Sequence, residues 1–214
     1  MTLALPLIGR PRLGRAVVLG YLTFCAVYLT CGTLHLRAPH LLEPTALDVS
    51  IPFLPWTIWV YLSQFALLLA ALLLARTDID RSRAFYAMLL ATLLAAIVFL
   101  AWPTQLARVP LPQGGFTASA WRLLYLADVP GNCFPSLHVA LAVLSATLLL
   151  RTGAIWRLAA PLWVLAIALS TLTTRQHIAL DVAGGAVLAP TAWALAGRLF
   201  SYERTRAAFR PASH

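Results

Sequence analysis

Residues 84–102 read AFYAMLLATLLAAIVFLAW, a run of nineteen residues without a charged side chain. A membrane helix needs about 20 mostly apolar residues to cross about 30 Å of hydrocarbon. Backbone groups in lipid must be satisfied within a helix or a closed barrel, and the run lacks the alternating pattern of a barrel strand. This run therefore predicts a helix that spans a membrane.

Five further segments have the same apolar character, although Arg157 lies near the start of one and Asp181 lies within another. We therefore predict an all-α membrane protein with six transmembrane helices in one bundle. One membrane domain would cover residues 16–200, between an N-terminal segment, 1–15, and a basic tail, 201–214. The five further segments are 16–34, 56–75, 134–150, 155–174 and 178–200.

The composition agrees with a membrane protein. Of the 214 residues, 61% are hydrophobic and 11% are charged, whereas a soluble domain averages about 25% charged residues. These values exclude a soluble globular enzyme and a disordered chain, and three cysteines give no disulfide framework. The net charge of +9 comes from arginines that flank apolar runs, so we expect contact with a membrane and none with nucleic acid.

The arginines also predict an orientation. With six spans, twelve of the sixteen arginines fall on the side of the two termini, and cytoplasmic loops are the ones enriched in arginine. Both termini are therefore expected in the cytoplasm, and loops 36–55, 103–133 and 174–177 on the outer face. Arginine without lysine is typical of a GC-rich bacterial genome, which suggests a bacterial inner membrane with an active site on its periplasmic face. The outer arginines are Arg37, Arg108, Arg122 and Arg175.

The first polar stretch on the outer face is NCFPSLH, residues 132–138, at the start of the fourth predicted helix. Proline is tolerated in the first turn of a helix, and Ser136 can cap it. A helix N-terminus offers free N–H groups and the positive end of the dipole, which attract phosphate oxygens. His138 would lie in that first turn, near a bound anion.

The second polar stretch is TRQHIALD, residues 174–181. His177 and Asp181 are four residues apart, so they are expected to share one helix face. A carboxylate at that spacing can hold one ring nitrogen and leave the other as a nucleophile. Asp181 is the only acidic residue within a predicted span, and an ionisable group inside a membrane helix indicates a function.

The third polar stretch is WPTQLARVP, residues 102–110, where Arg108 can reach an anion on the outer face. The planar fork of an arginine matches phosphate oxygens. Taken singly, each of these residues is also typical of an ordinary membrane boundary, and only their coincidence on one face favours a site. His35, His40 and Glu43 are weak candidate metal ligands, so we expect no metal and no other cofactor.

Together these motifs resemble the type 2 phosphatidic acid phosphatase superfamily. The similarity covers roughly residues 45–195 and rests on FPSLH at 134–138, Ser170-Thr171, His177 and Asp181. Members have a six-helix membrane core, a proline-serine-x-histidine motif and a later histidine with an aspartate four residues on. DVSIPF, at 48–53, is similar to the lead-in segment of the branch that contains inositol phosphorylceramide synthases.

The chain departs from the usual pattern of that superfamily. It has no lysine, so Arg108 matches only part of a first motif that contains lysine and arginine. Leu137 stands at the usual glycine, Ser170-Thr171 stands at the usual serine-arginine pair, and Arg175 lies two residues before His177 instead. These changes resemble the branch of lipid head-group transferases. They leave open which arginine is the main phosphate clamp and whether the acceptor is water or an alcohol.

The resemblance implies a membrane lipid phosphatase that forms a phosphohistidine. His177 would attack the phosphoryl group, Asp181 would orient His177, and His138 would donate to the leaving oxygen. The phosphate would be bound by Arg175, Arg108 and Ser136.

The expected substrate is a lipid phosphate or diphosphate, with phosphatidic acid, phosphatidylglycerol phosphate, an isoprenyl diphosphate and a phosphoinositol donor as candidates. Within the same class, the alternative is a lipid head-group phosphotransferase that uses an alcohol acceptor, as an inositol phosphorylceramide synthase does. From other classes, a small transporter and a non-catalytic scaffold are the alternatives. The polar cluster stays at one membrane face, which disfavours a transport path through the bilayer.

Overall fold

The computed structural model describes residues 2–34 and 36–203, which are mainly helical. A short 3₁₀ turn, Pro55–Thr57, leads into α3. The helices are α1 (Arg10–Thr33), α2 (Ala46–Ser50), α3 (Ile58–Leu62), α4 (Gln64–Leu74), α5 (Asp78–Ala101), α6 (Gly115–Ala127), α7 (Leu137–Leu149), α8 (Ala154–Thr173) and α9 (Ala179–Leu199). The strands are β1 (Leu3–Pro6), β2 (His40–Leu41), β3 (Thr104–Gln105) and β4 (Phe200–Glu203).

Within the described residues, five helical segments are long and apolar enough to cross a membrane, which indicates an integral membrane protein. This finding confirms the prediction of an apolar helical membrane protein. The five segments are α1, Pro55–Leu74, α5, α8 and α9. The remaining predicted span, 134–150, corresponds to α7, which has only 13 residues.

Helix α7 lies at the centre of the bundle. It packs against α4, α5, α8 and α9, and ten of its residues are buried. Protein therefore surrounds most of α7. Helix α1, by contrast, buries only Leu13 and Cys31, and large apolar side chains such as Leu19 and Leu22 remain exposed on it. Its outer surface has the character of a lipid-facing helix.

Four short strands depart from the all-α prediction. β1 and β4 pair in parallel, with Leu3 opposite Phe200, and β2 pairs in parallel with β3. These strands were not predicted, because pairs this short depend on which backbones the helices bring together. β4 contains the first residues of the predicted basic tail, and residues 204–214 lie outside the described part of the chain.

The helix boundaries also differ from the apolar runs. α1 begins at Arg10, with Pro11 in its first turn, so a polar turn precedes the apolar stretch. The predicted second span is interrupted at Ser63, where α3 ends and α4 begins. Helix α6 lies within the predicted outer loop 103–133, with Phe116 and Leu126 mostly exposed along it. Hydropathy alone does not reveal such an amphipathic segment outside the spans.

A buried arginine fixes the end of the bundle where β1 and β4 pair. Arg81 is 1% exposed and forms an ion pair with Asp78. Its other hydrogen bonds go to the carbonyl oxygens of Ile8, Leu72 and Ala75, at 3.2, 2.9 and 3.1 Å. The start of α5 is thereby tied to the chain that precedes α1 and to the end of α4. We call this the terminal end, and the opposite end the site end.

Candidate active site

His177 and Asp181 form a buried pair at the site end. The Nδ1 atom of His177 lies 3.2 Å from Oδ2 of Asp181, and the two side chains are 11% and 0% exposed. The sequence placed both residues on one helix face, but His177 precedes α9, which begins at Ala179. The pair forms because Asp181 lies in the first turn of α9 and also accepts a hydrogen bond from the Ile178 N–H, at 3.1 Å.

The end of α8 fixes the backbone of His177. The N–H groups of Gln176 and His177 both donate to the carbonyl of Thr171, and that of Arg175 donates to Leu172. This is a Schellman arrangement with Arg175 at the left-handed position, φ 54°, which glycine usually occupies. A left-handed arginine costs about 1–2 kcal/mol. The Ser170-Thr171 pair thus has a structural role, because its carbonyl groups hold the turn that precedes and includes His177.

His138 lies in the first turn of α7, as the sequence predicts. Its Nε2 atom lies 2.8 Å from the carbonyl oxygen of Tyr61, and its ring stacks on the Tyr61 ring with 3.7 Å between centroids. Tyr61 is in the last turn of α3. Since a carbonyl only accepts hydrogen bonds, Nε2 carries the proton and Nδ1 is the nitrogen left for chemistry.

The two motifs are joined through backbone contacts. Ser136 caps α7, because its hydroxyl accepts a hydrogen bond from the Val139 N–H at 3.3 Å. The N–H of Ser136 in turn donates to the carbonyl of Asp181, at 3.0 Å. A Cβ atom on Gly185 would lie 2.3 Å from the Ser136 carbonyl oxygen, so only glycine permits this approach of α9 to α7. The Ser136 side chain is fully buried in its capping role.

Both outer arginines of the predicted site are bound to backbone carbonyls. Arg175 donates to Asp48 and Ile51, at 2.5 Å each. Arg108 donates to Tyr125 and Asp128, at 3.1 and 2.5 Å, and its guanidinium lies 4.4 Å from the centroid of the Tyr125 ring. These contacts fix the position of each guanidinium without neutralising its charge.

The lead-in segment, residues 48–53, contacts both the start of α9 and the side chain of Arg175. Asp48 accepts hydrogen bonds from the Thr45 N–H and hydroxyl and from the Ala179 N–H, at 2.8, 2.6 and 2.7 Å. Burial alone would raise the pKa of Asp48, but the hydrogen bonds from Thr45 and Ala179 outweigh it and lower the pKa below its ordinary value. Helix α2 thus connects the start of α9 with the guanidinium of Arg175.

Two cavities meet beside His177. The first, the polar pocket, has a volume of about 40 Å³ and is bordered by Arg108, Arg175 and Gln176 among others. The second, the apolar cleft, has a volume of about 390 Å³ and lies mainly between α1 and α4, with Phe24 and Leu68 in its walls. His138 borders the cleft, and His177 borders both cavities. The structure therefore brings both predicted histidines to one space.

Several residues that the sequence did not single out share this junction. Besides His177, both cavities are bordered by Tyr28, Tyr61, Asp128 and Asn132. The Tyr28 hydroxyl donates to Oδ1 of Asp128 at 2.8 Å. Burial raises the pKa of Asp128 above its ordinary value, and the Tyr28 hydrogen bond and the charge of His177 oppose that rise. Only the position of Asp128 in an outer loop could have drawn attention to it.

The predicted alternative ligands do not gather into a metal site. His40 is exposed on β2, beside the ring of Trp102, and His35 lies outside the described residues. Within residues 2–34 and 36–203, no three histidine, cysteine or acidic side chains are grouped closely enough to hold a metal ion.

The apolar helical bundle thus has a histidine–aspartate pair and a second histidine at one cleft, an arrangement suited to nucleophilic and acid–base chemistry. The family model of the PAP2 superfamily matches residues 32–195, well over half of the chain. The protein therefore belongs to the PAP2 superfamily, as its motifs indicate, and this membership points to a phosphatase or phosphotransferase. Neither the curated proteins nor the solved structures contain a significant match.

Proposed function

We propose that this protein is an integral membrane lipid phosphatase that acts through a phosphohistidine on His177. The observation that carries the proposal is that the His177–Asp181 pair and His138 meet at one end of an apolar cleft. A lipid phosphate is the ligand that needs both features, because its phosphate requires polar groups and its chain requires an apolar channel.

His177 is suited to act as the nucleophile. Its Nδ1–H donates to Asp181, and no described residue hydrogen-bonds its Nε2 atom, which keeps a free electron pair. Attack on phosphorus turns the imidazole into an imidazolium, which the Asp181 carboxylate stabilises. Among the described residues no group hydrogen-bonds Oδ1 of Asp181, whereas Oδ2 accepts from both His177 and the N–H of Ile178.

His138 is suited to move the proton. With Nε2–H held by the Tyr61 carbonyl, protonated His138 donates from Nδ1 to the leaving oxygen as the P–O bond breaks and the P–Nε2 bond to His177 forms. Neutral His138 then takes a proton from the acceptor, whose oxygen replaces Nε2 on phosphorus. Water as the acceptor gives hydrolysis, and an alcohol gives head-group transfer.

The charge of the phosphate is balanced by Arg108 and Arg175, which both border the polar pocket. Their hydrogen bonds to carbonyls use part of five donor N–H groups on each side chain. The N–H groups at the start of α7, which Ser136 caps, add the positive end of the helix dipole. Fixed donors of this kind stabilise charge that develops during the reaction.

The lipid chain would occupy the apolar cleft. Along α1 the cleft extends from Leu29 to Val17, a separation of twelve residues, or about 18 Å at about 1.5 Å per residue. Rim residues such as Tyr21 and Phe65 are exposed, so a chain can enter sideways from the bilayer. Phosphatidic acid, phosphatidylglycerol phosphate and isoprenyl diphosphates all satisfy this description.

The proposed topology has six crossings with both termini in the cytoplasm of a bacterial cell. Its support is the pairing of β1 with β4, since two chain ends at one side of a bundle require an even number of crossings. Because α7 is enclosed by protein, its 13 residues need not match the bilayer thickness. A membrane-impermeant thiol reagent applied to intact cells should label Leu111→Cys and spare Arg151→Cys, and the reverse result refutes the orientation.

The test of the proposed function is an assay of the purified protein in detergent with excess chelator. Labelled phosphatidic acid, phosphatidylglycerol phosphate and an isoprenyl diphosphate are supplied with and without glycerol or inositol. We expect release of inorganic phosphate and an acid-labile, base-stable phosphoenzyme. His177→Ala should abolish both, and His138→Ala should slow turnover about 10²- to 10⁴-fold, the range of general acid–base catalysis.

His40→Ala is the matched control, because His40 is an exposed histidine at the same end of the bundle. It should retain full activity. Unchanged activity of either active-site variant refutes the mechanism. Products that form only when an alcohol is present favour the head-group phosphotransferase over the phosphatase.

A further inference from the structure

The junction of the two cavities contains a second acid that the reaction described above does not use. Asp128 directly follows α6 and borders both the polar pocket and the apolar cleft. It lies beside His177 without being its hydrogen-bond partner, since that place belongs to Asp181. A carboxylate next to a phosphate site requires an explanation, because it repels the phosphate that the site must hold.

The Asp128 carboxylate is held by one oxygen only. Its Oδ1 accepts hydrogen bonds from the Tyr28 hydroxyl at 2.8 Å and from the Val129 N–H at 2.9 Å. Among the described residues, none donates to its Oδ2. Tyr28 lies in α1 and is half-buried beside the cleft, so the orientation of the carboxylate is fixed by a different helix.

The size of the polar pocket limits what can bind between Asp128 and His177. One water molecule needs about 10–15 Å³ of such space, so a pocket of about 40 Å³ holds about three waters or one small hydroxyl compound. A free carboxylate oxygen accepts a hydrogen bond from a hydroxyl and repels a second anion. The pocket is therefore suited to the acceptor of the reaction.

We propose that Asp128 binds and orients the acceptor water in the polar pocket for attack on the phosphoryl group carried by His177. This inference rests on the proposed function and assigns a residue to its second step. The water oxygen forms the new bond to phosphorus, the P–Nε2 bond breaks, and its electron pair returns to His177. One water proton passes to Nδ1 of His138, and the other remains hydrogen-bonded to Oδ2 of Asp128.

Tyr28 has a positioning role in this arrangement. Its hydroxyl holds Oδ1 of Asp128, so it acts on the water only through the carboxylate. Asn132 supports the same corner, because its side-chain amide donates to the carbonyl of Tyr28 at 2.7 Å. The acceptor side of the site is thus built from α1 and the segment that follows α6, whereas the nucleophile belongs to α9.

The test separates the two half-reactions by rapid quench with phosphate-labelled phosphatidic acid in detergent. Asp128→Ala and the isosteric Asp128→Asn should slow phosphate release about 10- to 100-fold, the range expected for a hydrogen bond to a charged group. Because the loss falls on the second step, the steady-state fraction of phosphoenzyme should rise. Asp128→Ala should also raise the ratio of glycerol phosphate to inorganic phosphate when glycerol competes with water.

Tyr28→Phe should change the same two quantities in the same direction, by a smaller factor. Glu43→Gln is the control, since Glu43 is an exposed acid outside both cavities, and it should leave the phosphoenzyme fraction unchanged. Phosphate release by both Asp128 variants at the wild-type rate, or a phosphoenzyme fraction that falls with turnover, overturns the inference alone. A wild-type protein that forms no phosphoenzyme overturns the proposed function and this inference with it.

Discussion

Arg81 and Asp181 are both buried charges in the first turns of long helices, at opposite ends of the same bundle. Arg81 donates to one carboxylate and three carbonyls, so nearly all of its donors have partners. Within residues 2–34 and 36–203, by contrast, no group hydrogen-bonds Oδ1 of Asp181 or Nε2 of its partner His177. A buried charge with all its partners stabilises the fold, whereas one whose neighbours stay unsatisfied is available to a substrate.

The largest difference between the two ends is expected from Asp181→Asn. The asparagine oxygen can still accept from Nδ1–H of His177 and from the Ile178 N–H, but a neutral amide does not stabilise the imidazolium that forms when His177 attacks phosphorus. In catalytic triads the corresponding change costs about 10⁴-fold in turnover, and we expect a loss of about 10³- to 10⁴-fold here. The measurement is the initial rate of phosphate release, accompanied by the thermal midpoint in detergent.

That midpoint should change little, because the asparagine can still accept the hydrogen bond from the Ile178 N–H. A loss of activity smaller than tenfold would show that the charge of Asp181 is not needed for the reaction, and that Asp181 has a structural role like that of Arg81.

Arg81→Met tests the structural role of the terminal end. Removal of the guanidinium leaves Asp78 and three carbonyls without their donor, and breaking a buried ion pair in this way typically costs about 3–5 kcal/mol. Denaturation in mixed detergent should report this loss of stability. The protein that remains folded should keep the wild-type kcat, since Arg81 is far from the histidines.

Arg157→Met is the control, because Arg157 is exposed in the first turn of α8, and it should keep both stability and activity. Wild-type stability in Arg81→Met would contradict a structural role for the terminal end.

Asp48→Asn is expected to have the smallest effect, because Asp48 is a fully bonded acid at the site end. Loss of its charged hydrogen bonds should cost about 1–3 kcal/mol. The folded-state pKa of Asp48 lies below its ordinary value of 3.8, so the charge stabilises the fold above that pH. This stabilisation disappears as the pH falls through the lower folded-state pKa.

The stability difference between the wild type and Asp48→Asn should therefore be constant from pH 7 to about pH 5 and shrink below about pH 4. Thermal midpoints measured across this range provide the check. A difference that grows toward acid pH would show that the carboxyl is protonated in the folded protein at neutral pH.

Much of the helical architecture could be predicted from the sequence. Length and hydropathy located both ends of α8 and α9 and the end of α5 to within one residue, because the transfer of apolar side chains into lipid depends mainly on the local run of residues. The break at Ser63, helix α6 and the paired strands were missed. Each of them depends on contacts with segments distant in the sequence.

The active site, too, could be predicted only in part. Spacing alone paired His177 with Asp181 and placed Ser136 and His138 at the start of a helix, because both relations lie within one turn of a helix. The sequence does not reveal that the Tyr61 carbonyl holds His138, or that Tyr28 holds Asp128 across 100 residues of chain. Those contacts exist only once the helices have packed.

The sequence by itself thus determined a membrane-embedded helical chain of the PAP2 superfamily with two histidines and an aspartate as its candidate reactive groups. Only the tertiary structure decided which nitrogen of each histidine stays free, that Arg108 and Arg175 are anchored to carbonyls, and that Asp128 faces the same junction. The physical reason is the separation along the chain over which each interaction acts. Hydrophobic transfer and helix spacing act over a few neighbouring residues, whereas hydrogen bonds between buried groups depend on which helices the bundle places side by side.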